Sequence, residues 1–305
     1  MPTTSSIPAP AREAILAWYP EHGRPLAFRR TRDPYAILVS EAMAQQTQAA
    51  RAAAYWERFM ERFPTVEVLA AATPADVLRA WQGLGYDRRA LALWRTAKIV
   101  VEEHGGRIPS TLPELEALPG IGPYTARAVA ALAFGVPVGA VDVNVRRVLG
   151  RMVAGDAAGF LAAELQRVAD EAVPSDRPGE WTHAVMDIGA TICRPRLPRC
   201  GSCPARPWCR SASASAATTP ALPRTRRRRQ PASVPFASTN RWLRGRILDR
   251  LRAAPHADWV VLDQSIGTHD PARVKAAANA MAADGVLEVD AAELPDTFRA
   301  RLPLA

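Results

Sequence analysis

The sequence predicts a mainly α-helical protein with a small C-terminal α/β module. Three observations lead there. From Ala11 to about Ala190, apolar residues recur at three- and four-residue spacing, and no convincing alternating strand interrupts them. All four cysteines lie within seventeen residues just after that stretch. Beyond them, residues 211–239 are dominated by Ala, Ser, Thr, Pro and Arg, and regular pattern returns only at 240–305.

Helical periodicity is clearest over Tyr35–Ala44, Ala50–Phe63, Ala90–Val101, Ala126–Ala133 and Val143–Val153. Thr73-Pro74-Ala75-Asp76 reads as a helix start, with a capping threonine, proline in the first turn and an acid facing the helix dipole. Asp33-Pro34 does the same for the segment beginning at Tyr35. The predicted division is a catalytic region over 1–210, a linker over 211–239 and a module over 240–305. In the module, Arg241–Ala253 reads as a basic amphipathic helix, Pro271–Ala283 as a second helix and 285–290 as a short strand. That order suits a small winged-helix module about as well as a loose helical appendage.

Composition narrows the function classes. The chain has 305 residues, 48% of them hydrophobic, and no run of 18 or more apolar residues, so no transmembrane helix is predicted. The first twenty residues lack the basic start and apolar stretch of a secretory signal. Cysteines in a reducing cytoplasm point to metal rather than disulfides. The net charge of +9 is local: ten arginines and one acid, Asp249, lie between Leu222 and Arg252, and the remainder is balanced. The Arg224–Arg229 run reads as a phosphate-binding arm adding nonspecific affinity, or as a solubilising linker. Lysine is almost absent, with only Lys98 and Lys275.

Four motifs carry chemistry. Leu118-Pro-Gly-Ile-Gly-Pro-Tyr-Thr-Ala-Arg-Ala128 places Gly120 and Gly122 in a tight turn before a helix, where backbone N–H groups can hold a phosphate without reading sequence. Val141-Asp-Val-Asn-Val-Arg-Arg-Val-Leu149 follows about twenty residues later. Its Asp142 sits at a helix start, where capping is the plain reading, and Asn144 is near enough to share a pocket. Ser40-Glu-Ala-Met-Ala-Gln-Gln-Thr-Gln48 sets Glu41 inside an apolar helix. Burial raises a carboxyl pKa, which is what a general acid at neutral pH requires, whereas a solvent-facing glutamate is the alternative. Gln45 and Gln46 are long, flat and polar, and suit insertion into a base stack. Cys193, Cys200, Cys203 and Cys209, spaced C-x6-C-x2-C-x5-C, can surround one metal centre.

Together these motifs, with Trp81-Gln-Gly-Leu-Gly-Tyr86 and Met186-Asp-Ile-Gly-Ala-Thr-Ile-Cys193, resemble the helix-hairpin-helix, iron–sulfur DNA glycosylases, and among them the MutY-type adenine glycosylases. The resemblance covers roughly residues 12–210 and implies a two-lobed helix-hairpin-helix fold. It implies a [4Fe–4S] cluster on the four cysteines, with zinc as the competing occupant. It implies Glu41 as general acid and Asp142 as stabiliser of the sugar cation, with Tyr124 and Asn144 in support. Gln46, Tyr86, Arg29 and Phe28 match residues that contact DNA or adjoin the base pocket. The implied partner is double-stranded DNA carrying adenine opposite 8-oxoguanine or guanine. The implied protein is a cytoplasmic, nucleoid-associated monomer with no membrane contact.

The chain departs from that pattern in several places. The usual Leu-Pro-Trp-Arg reads Leu26-Ala27-Phe28-Arg29. Val143 replaces a glycine, Asp87 a second tyrosine, and His183 stands where an amide or carboxylate is common. Related bifunctional enzymes use a hairpin lysine to nick the strand, but Tyr124 occupies that position here. Only about 65 residues follow the linker, and they lack the pattern of the family's usual Nudix-like domain. Two other readings stand beside the adenine enzyme. One is a thymine glycosylase for T:G mismatches, against which Gln45-Gln46-Thr47 argues. The other is a non-catalytic DNA-binding protein, against which Glu41 and Asp142 argue.

Overall fold

The computed structural model describes residues 6–156, 161–215, 235–290 and 297–304. The predicted mainly α architecture is what it has. The helices run in order α1 Ala9–His22, α2 Pro34–Ala44, α3 Ala49–Arg62, α4 Val66–Ala71, α5 Pro74–Ala80, α6 Arg88–His104 and α7 Leu112–Ala117. They continue as α8 Pro123–Ala133, α9 Val143–Val153, α10 Ala162–Ala172, α11 Pro178–Asp187, α12 Arg210–Ser215, α13 Asn240–Ala253 and α14 Pro271–Ala283. Two compact units form: residues 1–41 with 108–223, and residues 42–107 with 224–305. Most of the linker, including the Arg224–Arg229 run, lies outside the described residues.

In the first unit, α1, α9, α10 and α11 bury Ile15, Leu16, Leu149, Leu165, Val168 and Ile188 against one another. Removing such side chains from water is the main drive for this packing. The hairpin is α7, the turn 118–122 and α8. Gly120 takes φ +77, a conformation open to glycine at little cost, and Pro123 starts α8. Helix α11 does not stop at Asp187 but continues as a π-turn over Ile188–Ile192 into Cys193.

In the second unit, Phe59, Leu69, Leu78 and Trp81 form a core beneath α6. Thr73 caps α5 through its hydroxyl, accepting from the Asp76 N–H. The C-terminal residues add α13 and α14, packed through Leu243, Ile247, Leu251, Val274 and Met281. A three-stranded antiparallel sheet joins them, ordered β1 (Val260–Val261), β3 (Arg299–Arg301), β2 (Glu288–Val289). The sequence pointed to a strand at 285–290 but not to β1 or β3. Both are two or three residues long, too short to display alternation. Among the described residues, no helix is long and apolar enough to cross a membrane.

Candidate active site

Glu41 lies in α2 and is only 8% exposed. Its helix is apolar on all sides because most of its residues are interior, so the carboxyl is denied water. That burial pushes its pKa up to about 7; the neighbouring Tyr124 hydroxyl and the Arg29 charge pull the other way, and Asp142 reinforces the rise. Tyr124, in the first turn of α8, has its phenol held well above the ordinary value by burial and by the same two carboxyls. It therefore remains a hydrogen-bond donor at any working pH.

Asp142 caps α9, as the plain reading of its position required. Its Oδ1 accepts from the Asn144 and Val145 N–H groups at 2.8 and 2.7 Å. Its Oδ2 accepts from the Asn144 side-chain amide at 2.8 Å. Capping fixes the carboxylate's direction and leaves the charge partly exposed, so capping and chemistry do not exclude each other. Arg147, one turn along α9, donates to Asn144 Oδ1 at 2.8 Å, to the Gly189 carbonyl at 2.6 Å and to the Cys193 carbonyl at 2.6 Å. Residue 189 must be glycine for this: a Cβ there would meet the Asn144 Cβ at 2.6 Å.

Beside Glu41 opens a pocket of about 470 Å³, lined also by Tyr19, Phe28, Arg29, Ser40 and His183. Asp187, fully buried, holds Arg29 at the pocket through two hydrogen bonds of 2.5 and 2.7 Å. It also accepts from the Arg24 N–H and Nε. Burial works against the Asp187 carboxylate, but these four donors outweigh it and hold its pKa below the ordinary value. Burial, with the Arg29 charge, pushes His183 down to about 3, so its imidazole is neutral, with one donor and one acceptor nitrogen. The sequence had not singled out Asp187, because nothing local marks a carboxylate whose partners lie 158 and 163 residues away.

Cys193, Cys200, Cys203 and Cys209 all line one small cavity of about 50 Å³, walled by Val148, Met152, Ile188 and Ile192. All four are free thiols, and Arg151 donates to the Cys193 sulfur at 3.3 Å. Among the described residues, no three His, Cys, Asp or Glu side chains converge tightly enough to hold one metal ion.

In the second unit, Gln45, Gln46 and Tyr86 line a groove of about 680 Å³. Gln46 and Tyr86 both take positive φ, 53° and 51°. Arg89 sets the two loops by donating to the carbonyls of Ala42, Met43, Gln45 and Gly85. Asp87 pairs with Arg252 of α13. Gly120 and Gly122 are exposed at the hairpin turn of the first unit.

Residues 39–171 match the HhH-GPD superfamily of base excision DNA repair proteins. A protein of Mycolicibacterium smegmatis named adenine DNA glycosylase is 39% identical over 276 residues, covering 90% of this chain and 91% of its own. The chain belongs to the adenine DNA glycosylase family. A Mycobacterium tuberculosis adenine DNA glycosylase is 42% identical over 79% of this chain and 78% of its own. The human adenine DNA glycosylase is 41% identical over 66% of this chain and 39% of its own. Among solved structures, a thermostable thymine-DNA glycosylase aligns with TM-score 0.63 and 29% identity, covering 67% of this chain and 95% of its own. A non-covalent endonuclease III–DNA complex shares the fold at TM-score 0.58 and 24% identity, over 68% of this chain and 95% of its own.

Within this family's framework the structure accounts for two departures. Asp87, in place of a tyrosine, is the counter-charge for Arg252 and ties the Gly83–Tyr86 turn to α13. His183, in place of an amide or carboxylate, offers the pocket a neutral donor–acceptor pair as an amide does. Nothing in the structure explains Val143, which is 75% exposed.

Proposed function

We propose that this protein removes adenine mispaired with 8-oxoguanine or guanine from duplex DNA by hydrolysing its N-glycosidic bond, without efficient strand cleavage. The observation that carries the reading is Glu41: a buried carboxyl whose pKa is pushed up to about 7, beside Tyr124 and within the field of Asp142. The target base must leave the stack to reach it. Glu41 delivers its proton to a ring nitrogen of adenine, and the electron pair of the bond to C1′ leaves with the base. Asp142 stabilises the developing sugar cation, and water adds at C1′, its proton returning to the Glu41 carboxylate. Asn144 orients Asp142, and Tyr124 holds Glu41.

The four cysteines, crowded round one apolar-walled cavity, fit a [4Fe–4S] cluster by the softness of the ligand set. When bound, it would stiffen the loop that carries Cys193 and so fix the carbonyls to which Arg147 donates. Equal iron and acid-labile sulfide in purified protein support the cluster; zinc instead overturns it.

The 29%-identical thymine-DNA glycosylase favours a second reading, removal of thymine from T:G. The relatives named adenine DNA glycosylase are more similar and match more of this chain. Single-turnover release of adenine from an A:8-oxoguanine duplex tests the first reading. Glu41→Gln is expected to lower the rate by about 10²–10⁴-fold. An unchanged rate would remove Glu41 from the mechanism.

A further inference from the structure

We infer that Arg241, on α13 of the C-terminal module, is a specificity-determining residue that hydrogen-bonds the base opposite the excised adenine. The inference rests on the adenine reading above. Three observations in the second unit support it.

Six arginines and two aspartates line the groove that holds Gln46 and Tyr86, so the groove is cationic and suited to nucleic acid. Five of those arginines are already engaged. Arg252 and Arg246 pair with Asp87 and Asp249, and Arg88 and Arg244 pair with Asp284. Arg89 is spent on backbone carbonyls. Among the groove arginines, only Arg241 makes no hydrogen bond or ion pair to a described residue.

The free guanidinium instead lies 5.1 Å from the centre of the Tyr86 ring, which is itself 46% exposed. An exposed tyrosine beside an unengaged arginine offers a stacking face and a fork of donors together. Third, of the four non-glycine residues with positive φ among the described residues, two, Gln46 and Tyr86, lie at this groove. Backbone strain of that kind persists where surrounding structure enforces it, commonly at ligand-binding positions.

Arginine donates and never accepts, so its partner must present acceptors. On the major-groove edge, guanine offers O6 and N7, whereas adenine and cytosine each turn an amino donor outward. Guanine oxidised at C8 keeps O6 and gains an O8 carbonyl, while its N7 becomes an N–H donor, so it offers the guanidinium one acceptor at a time. Thymine also presents an acceptor, O4, but beside a methyl group, so a guanine-type base, with O6 and a second acceptor at N7 or O8, is the better match. Binding at this edge would draw the guanidinium from Tyr86 onto the base and leave the ring free to stack.

The test is equilibrium binding of the full chain to duplexes with a non-cleavable fluorinated deoxyadenosine opposite 8-oxoguanine, guanine, cytosine or a baseless spacer. Wild type, Arg241→Ala and Arg241→Lys are compared, with adenine release by the wild type measured alongside. Arg241→Ala is expected to lose about tenfold of the preference for the guanine-type bases over the spacer, the scale of one specific base-edge contact. Lysine keeps the charge but not the fork, so Arg241→Lys should bind the spacer duplex as wild type does and still lose the preference. A preference retained in Arg241→Ala overturns the proposal. So does an equal loss on every duplex, which marks a phosphate contact. If the wild type releases no adenine yet the preference depends on Arg241, the proposed reaction fails while the base contact stands.

Discussion

The Tyr124 phenol lies beside the carboxyl of Glu41, and the buried glutamate holds its proton up to about pH 7. Adenine release at saturating enzyme should therefore be level below pH 7 and fall as pH rises through it, as expected for a general acid. The same shift sets a stability trend. Between the ordinary glutamate value of 4.5 and about 7, the folded chain keeps a proton that the unfolded chain releases, so stability falls as pH rises across that window. Glu41→Gln should flatten the slope and raise stability at pH 8 by on the order of 1–3 kcal/mol, read by denaturant titration. An unaltered slope would mean that Glu41 is solvated.

Arg147 joins Asn144 to the carbonyls of Gly189 and Cys193. Arg147→Ala should lower the single-turnover rate by roughly 10–100-fold while changing DNA affinity much less, since it acts through the orientation of Asp142 and Asn144. Gly189→Ala should share the defect by crowding Asn144. A loss confined to affinity would point to a phosphate contact instead.

What was legible in the sequence was what is local. Glu41 stands out because it interrupts an apolar helix. Asp142 and Asn144 stand out because a cap and its neighbours are two residues apart. The hairpin reads from glycine, proline and the helix behind them. The ion pairs that complete each unit are long-range: Arg29 with Asp187 across 158 residues in the first and Asp87 with Arg252 across 165 in the second. A charged residue announces its sign but not its partner, so no spacing rule could have joined them.

The Asp87–Arg252 pair is largely enclosed, with side-chain exposures of 17% and 7%. Arg252→Ala strands the Asp87 carboxylate and is expected to destabilise the fold by about 3 kcal/mol, less than additively with Asp87→Asn in a double-mutant cycle. Strict additivity would mean that the two residues do not interact in solution.

Lys98 is the only lysine between residues 1 and 274, and its ammonium lies 5.1 Å from the Trp94 ring centre in α6. Tyr124 cannot form a Schiff base. Borohydride added during turnover is therefore expected to trap no covalent enzyme–DNA adduct, because strand cleavage by elimination needs an amine nucleophile. A trapped adduct that vanishes in Lys98→Ala would show that this lysine reaches the sugar.

The central claim is most directly tested by base release from duplexes containing A:8-oxoguanine, A:G, T:G and C:G, each analysed with and without hot alkali. The account predicts release of adenine alone, from the first two duplexes, with strand breaks only after alkali and none with Glu41→Gln. Thymine released from T:G, or breaks without alkali, would contradict it.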